Sequence, residues 1–495
     1  MPKSINFADL TLRDGQQSLA ATRMTTSQAL RVLKMIDDAG YSAIELWGGA
    51  ILDSCVRFLN EDPWERLDKF RATLGSPDKI RVLLRGQNLF AYQPFPDDLV
   101  IAFTKEAVHS GTGIVRIFDA LNDLRNLQIA LLAAKAYGGK VEAAISYTTS
   151  PVHNTNYFVN LALQLQDEGA DQIAIKDMAG LLHPTVAVEL FRKFKQTLSV
   201  PITFHSHTTT GVATLNAVIA MRAGIDAIDT AITPFAGGSS HPPIEVLIVF
   251  AEAMGIHHKL NKRLILKVQA KLFEIFNELR DFIPSPVNDY RPVNYEDVDA
   301  QTVRNIIQLL DKGGTNHLEQ ALGLMRGLMR SLGYPEFDSH IFESQIPGGM
   351  LSNLQSQLEK MGKLDMLEQV KAEIPTVRAD VGHVPMVTPT SQIVGSQATF
   401  NVMLGRYQVV SNEFKMLLKG EFGRLPAPPN PEVLRLVLVP GEEPLRYRPA
   451  SYLAPILEDE YHLPFVKTHR DLLLHLMLKQ PADAFLKRKY GLADS

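Results

Sequence analysis

Gln172-Ile173-Ala174-Ile175-Lys176 is a short β-rich run that ends in a charge. Shortly after it, His183-Pro184 can open a helix, because proline is tolerated at the first helical position. Val188, Phe191 and Leu198 then supply that helix with an apolar side. The same unit recurs to either side. The matching runs are Ile5–Leu12, Ala43–Trp47, Ile80–Arg85, Ile114–Phe118, Val141–Tyr147, Ile202–His207 and Ala227–Thr233. Eight strands, starting roughly 25 to 38 residues apart and alternating with helices, call for βαβ units and a parallel sheet. Eight units in about 250 residues fit a (β/α)8 TIM barrel better than an open sheet.

The connecting helices can be read one by one. Thr25-Thr26-Ser27 offers N-cap hydroxyls, Leu30, Leu33 and Ile36 share a side, and Gly40 is placed to end the helix. Pro242-Pro243 starts the helix after the eighth strand, which runs to about Gly255. Beyond residue 260 the alternation stops. Residues 261–430 read as a mainly helical domain, for example at Val268–Leu279 and Gln355–Lys371, with Ile283–Asn288 as a crossing segment. Pro426-Ala427-Pro428-Pro429-Asn430-Pro431 marks a second break, and 431–495 reads as a charged helical extension. The expected units are therefore 1–260, 261–430 and 431–495.

The chain has 495 residues, 45% of them hydrophobic and 21% charged, as in an ordinary globular protein. Lys and Arg number 50 against 54 Asp and Glu, a net charge of −4, so there is no electrostatic case for nucleic acid or an anionic membrane. The single cysteine, Cys55, rules out an intrachain disulfide and a thiolate zinc cluster. Met1 to Phe7 contains no apolar signal core, and no run reaches the roughly eighteen apolar residues that span a bilayer. A cytoplasmic enzyme without direct membrane insertion is expected.

Active sites of such barrels lie at the C-terminal strand ends. The polar residues there are Arg13-Asp14-Gly15-Gln16-Gln17, Arg85-Gly86-Gln87-Asn88, Asp119, Lys176-Asp177, His205-Ser206-His207 and Gly237-Gly238-Ser239-Ser240-His241. His205 and His207 are two apart on a strand, so their rings share a side and form half of a divalent metal site. Asp14, on strand one, comes near strands seven and eight once the barrel closes and can add an oxygen ligand. An inward histidine alone is more often a hydrogen-bonded core residue; Asp14 tips the balance to metal. Lys176 follows three apolar residues, where it could pair with Asp177 or Asp14. Beside a cation it has another outcome, since a neutral amine adds CO2 to give an anionic carbamate ligand. Arg85 closes an apolar strand and can hold a carboxylate through two parallel bonds. Arg13 is the second candidate, and of the two one should bind substrate while the other pairs with an acid such as Asp14.

Together, Thr11–Ser18, Leu84–Asn88, Phe118–Asp123, Ile175–Gly180 and His205-Ser206-His207 resemble the pyruvate-type carboxyltransferase domain of biotin-dependent enzymes. The resemblance continues through Pro347–Leu354 and Val387–Gly395 and covers roughly residues 4 to 430. That family includes the α subunit of oxaloacetate decarboxylase, the B subunit of two-subunit pyruvate carboxylase and the matching subunit of transcarboxylase. The resemblance implies Asp14, Lys176 as a carbamate, His205 and His207 around Zn2+, Mn2+ or Co2+. It further implies pyruvate held by Arg85 and Gln17, and Thr388 passing a proton between pyruvate and biotin. Arg13, Lys176 and Thr388 are read as the catalytic set. The implied reaction moves CO2 between carboxybiotin and pyruvate or oxaloacetate, in either direction. Thr208 stands where pyruvate carboxylases have aspartate, which with Gln87-Asn88 looks more like the decarboxylase and transcarboxylase branch. Ser239 replaces a threonine, and Ala91 a glycine.

No Met-Lys-Met biotin-attachment sequence and no glycine-rich ATP loop is visible. Biotin on a separate carrier protein is therefore expected. A further subunit should join it: a biotin carboxylase, a membrane decarboxylase subunit or an acyl-CoA carboxyltransferase subunit. A homodimer is implied by the resemblance only. The competing class is the aldol-type lyases and synthases that act on acyl-CoA and share Arg-Asp-Gly and His-x-His on such a barrel. Lys176-Asp177-Met178 and Thr388–Gly395 speak against it. A non-catalytic scaffold is disfavoured by the full ligand set.

Overall fold

Eight parallel strands, β1 (Asn6–Asp9), β2 (Ala43–Gly48), β3 (Ile80–Leu84), β4 (Ile114–Phe118), β5 (Lys140–Ser146), β6 (Gln172–Asp177), β7 (Ile202–Ser206) and β8 (Ala227–Thr230), close into a barrel in sequence order. β1 joins both neighbours, with Ala8 opposite Ala43 and Phe7 opposite Ile228. The computed structural model describes residues 4–492 except 92, 284–286, 288–289, 340, 346–353, 356–357, 360, 440 and 458–461. Most of the crossing segment Ile283–Asn288 and nearly all of Pro347–Leu354 lie outside the described residues.

The helices form for the reasons read in the sequence. Thr25 caps Thr26–Asp38 in a capping box with Gln28. Pro184 opens Pro184–Thr197, and Ile244–Ala253 follows Pro243. Three details differ from expectation. β1 stops at Asp9, and the chain then winds through a wide π-type turn, Thr11–Gly15. Val188 is 43% exposed, so Ala187, Leu190, Phe191 and Phe194 make the apolar side of its helix. Gln355–Lys371 is not one helix: Gly362 adopts φ +65, and a new helix begins at Leu367.

The barrel interior is charged. Glu45, Arg81, Arg116, Glu142 and Asp229 project inward and are buried. Arg81 donates to Glu45 Oε2 at 2.9 Å and to Asp229 Oδ1 at 2.8 Å, while Arg116 bridges Glu142 and Asp229. Each charge is compensated, as burial requires.

Helices Lys262–Glu278, Ala300–Lys312 and Thr315–Ser331 pack onto the barrel's own apolar core. Val370, Ile374, Val377, Phe414 and Leu417 build a second cluster, which reaches the barrel at Leu121. The C-terminal segment folds back over the barrel. Its helix His469–Leu478 adds Leu473 and Leu474 to the main core, and Arg470 donates to Asp68 and Glu106 at 2.5 and 2.6 Å. Among the described residues no helix is long and apolar enough to cross a membrane.

Candidate metal centre and catalytic pocket

The turn after β1 brings Arg13 and Asp14 inward, both buried. Asp9 fixes its start by accepting from Thr11 N at 3.2 Å and Thr11 Oγ1 at 2.6 Å. Arg13 Nε donates to Glu45 Oε1 at 2.6 Å, and Arg13 Nη2 donates to Asp14 Oδ2 at 2.8 Å. Arg13 is thus paired with two acids, Glu45 and Asp14. Burial alone would raise the Asp14 pKa, but the Arg13 guanidinium beside it outweighs this and holds the carboxyl well below its usual range.

Three histidines surround Asp14, one more than expected. His205 lies near the end of β7, His207 just beyond it, and His241 in the loop after β8. Their Nε2 atoms lie 3.8, 3.7 and 3.3 Å from Asp14 Oδ2. Each ring is held from behind at Nδ1: His205 by Asp229 Oδ2 at 2.8 Å, His207 by Ser239 O at 2.6 Å, and His241 by Ser206 O at 3.0 Å. Burial pushes the His205 and His207 pKa values down, the latter to about 3, so both rings are neutral at pH 7. Gly180, with φ +66, lets the loop after β6 pass close behind; a Cβ there would meet His207 O at 2.7 Å.

Lys176, at the end of β6, faces His205 in register. Its Nζ lies 2.9 Å from His205 Nε2 and 4.0 Å from Asp14 Oδ2. Burial lowers its pKa to about 8, against the pull of Asp14. Asp177 is occupied elsewhere, accepting from Leu181 N at 2.7 Å, Leu182 N at 3.0 Å and Ser206 Oγ at 2.9 Å. Asp119 likewise caps the turn after β4, accepting from Leu121 N and Asp123 N, both at 2.9 Å.

One donor atom each from Asp14, His205, His207 and His241 lies within 4.8 Å of the others, and all four residues are buried. Nε2 of His207 and of His241 is buried without a hydrogen-bond partner. Such a donor set fits a divalent cation.

A cavity of about 260 Å³ opens beside the cluster. Arg13, Asp14, Gln17, Arg85, Phe118, Lys176 and Thr388 line it. Gln17 Oε1 accepts from Ala50 N at 3.1 Å, and Arg85 Nη1 donates to Ala91 O at 2.6 Å. Thr388 stands just before the helix Thr390–Leu404, whose N-cap position is Pro389, so Thr388 does not cap it. Its Oγ1 accepts from Gln392 Nε2 at 3.3 Å. The hydroxyls of Thr390 and Ser239 are turned to the carbonyls of Val387 and Ser18 at 2.7 and 3.0 Å. Met477 and Leu478 form part of the wall, a contribution from the C-terminal segment that the sequence reading missed. His241 carried a weak signal, as a histidine in a strand-end loop. Asp229 carried none beyond being a charge in an apolar strand.

Two family models match the chain: one described as HMGL-like over residues 117–271, and one described as a conserved carboxylase domain over 341–494. The chain is 40% identical to the pyruvate carboxylase B subunit of Methanocaldococcus jannaschii, covering 98% of this chain and 78% of that one. It is 37% identical to the methylmalonyl-CoA carboxyltransferase 5S subunit of Propionibacterium freudenreichii subsp. shermanii, covering 99% and 88%. The structure of the carboxyl transferase domain from Rhizobium etli pyruvate carboxylase with pyruvate superposes with a TM-score of 0.81 at 28% identity, over 99% of this chain and 78% of that one. The HMGL-like match is confined to part of the chain, whereas these carboxylase relatives run along nearly all of it, so the lyase alternative is not favoured. With its closed eight-stranded barrel and buried Asp-His cluster, the chain belongs to the carboxyltransferase family of the biotin-dependent carboxylases.

Proposed function

We propose that this chain exchanges a carboxyl group between carboxybiotin, presented by a separate carrier protein, and pyruvate, forming or consuming oxaloacetate. One juxtaposition supports the reading: Asp14 and Lys176 line the same cavity as Arg85, Gln17 and Thr388. Asp14, Lys176 as a carbamate, His205 and His207 would hold a Zn2+, Mn2+ or Co2+ ion, which when bound polarises the keto oxygen of the substrate. The Lys176 amine adds to CO2 and loses a proton, leaving an anionic carbamate oxygen. Arg13 keeps Asp14 ionised and oriented. Arg85 takes the pyruvate carboxylate, and the Gln17 amide orients the substrate beside it. The Thr388 hydroxyl accepts a methyl proton from pyruvate and passes one to biotin, since a hydroxyl both donates and accepts. Phe118, Met477 and Leu478 limit water around the reacting carbon.

The chain then acts in the cytoplasm as a homodimer, with the carrier and one of three partners: a biotin carboxylase, a membrane decarboxylase subunit or an acyl-CoA carboxyltransferase subunit. The units 1–260, 261–430 and 431–495 are our proposed division; the separate apolar cluster around Ile374 and Phe414 gives the later part of the second unit a core of its own, which Val433 and Val437 of the third also join. The test is decarboxylation of oxaloacetate by the purified chain with free biotin as acceptor. Biotin-stimulated, metal-dependent release of pyruvate is expected. A parallel assay of oxalosuccinate decarboxylation, which would release 2-oxoglutarate, asks whether another oxo acid is preferred. Acyl-CoA cleavage without biotin would overturn the reading.

A further inference from the structure

The geometry points to His241 as a third imidazole ligand of the metal ion, one that biases the site toward Zn2+ or Co2+ and away from Mn2+. The inference rests on the metal reading above and adds to it a residue and a selectivity. His241 is fully buried, in the loop after β8. Its Nδ1 lies 3.0 Å from the carbonyl oxygen of Ser206. A carbonyl can only accept, so Nδ1 carries the hydrogen. In the neutral ring Nε2 then bears a lone pair, and it lies 3.3 Å from Asp14 Oδ2. Two acceptors at that distance repel unless a cation lies between them.

His207 repeats the pattern, with Nδ1 on the Ser239 carbonyl at 2.6 Å and Nε2 3.7 Å from the same Asp14 oxygen. Neither Nε2 has a hydrogen-bond partner. The His207 and His241 rings are 4.4 Å apart between centroids, and those of His205 and His241 4.6 Å. The donor atoms fall within 4.8 Å of one another, close to the span of two ligands about 2.1 Å either side of one ion. An added imidazole favours Zn2+ and Co2+ over Mn2+, which is the weakest binder of nitrogen ligands in the series. A proton on His241 is the rival: it would make an ion pair with Asp14 and leave the residue outside the coordination sphere.

The experiment compares unmodified protein, His241→Gln and His207→Ala for Zn2+, Co2+ and Mn2+ affinity by chelator competition, and records the visible absorption of the Co2+ forms. In His241→Gln, Zn2+ affinity should fall at least about tenfold, the lower end of what even an outer-shell change gives. Mn2+ affinity should fall less, and the Co2+ bands should change. Unaltered affinities and bands in His241→Gln, with metal still lost in His207→Ala, would overturn the role of His241 alone. An unmodified protein that binds no divalent ion would instead overturn the metal reading itself. If His241→Gln does not fold, X-ray absorption of the zinc-loaded unmodified protein decides: three imidazoles support the inference and two overturn it.

Discussion

Asp229 Oδ2 lies 2.8 Å from His205 Nδ1, on the side of the ring that faces away from Asp14. A carboxylate there fixes the hydrogen on Nδ1 and leaves Nε2 free to bind metal. Asp229 also neutralises Arg81 and Arg116. Asp229→Asn should therefore lower metal affinity about 10–100-fold. It should also cost roughly 3–5 kcal/mol of stability, because two buried arginines lose a counter-charge. Chelator competition and denaturant melts measure the two effects. A folded variant with full metal affinity would show that the pair does not orient His205.

Lys176 should be carbamylated. A buried amine with its pKa lowered to about 8 has a far larger neutral fraction at pH 7 than an ordinary lysine, and Asp177 does not compete for it. Protein equilibrated with ¹³C-bicarbonate should show one carbamate carbon signal that is absent in Lys176→Ala. No such signal in metal-replete protein would refute the assignment.

Replacing Arg85 by lysine should weaken pyruvate by about 1–3 kcal/mol, the range for a charged hydrogen bond. The change should appear in KM more than in metal content, since the Asp14 side of the cluster is held by Arg13. Unchanged KM and kcat would move the carboxylate site elsewhere in the cavity.

Thr388→Ala should lose on the order of 100-fold or more in turnover. Its melting temperature should hardly move, because Thr388 makes no capping bond to the helix that follows. Thr388→Ser keeps the hydroxyl and should keep part of the activity. Parental rates of oxaloacetate decarboxylation in Thr388→Ala, with biotin as acceptor, would exclude the shuttle.

The chain made in a biotinylating host should give a negative streptavidin blot. A strong band at its own mass would place the carrier function on this polypeptide.

The barrel was legible because short β-rich runs alternate with helical segments at a regular spacing, a pattern that needs no knowledge of contacts. The end of β1 was not. Leu12 extends the apolar run past Asp9, and over so few residues a strand and a wide turn look alike. His205 and His207 could be paired from their spacing alone. His241 could not, since it reaches Asp14 only because the loop after β8 folds back under Ser206. The interior ion network was invisible for a similar reason. Glu45, Arg116 and Asp229 are each a charge within an otherwise apolar run, and their partners come from other strands. Val188 shows the reverse error, an apolar residue credited to the core that faces solvent.

The wall formed by Met477 and Leu478 has a consequence for the order of events during synthesis. Every metal-type donor has left the ribosome once His241 has emerged, and Thr388 follows well before Leu478. The nascent chain can thus assemble the residues around Asp14 before Met477 and Leu478 reach the cavity wall. The cavity gains this part of its wall only when the helix ending at Leu478 docks over residues translated more than three hundred positions earlier, Asp68 and Glu106 among them. Translation past Leu478, rather than barrel closure, is then the step that completes the lining of this cavity.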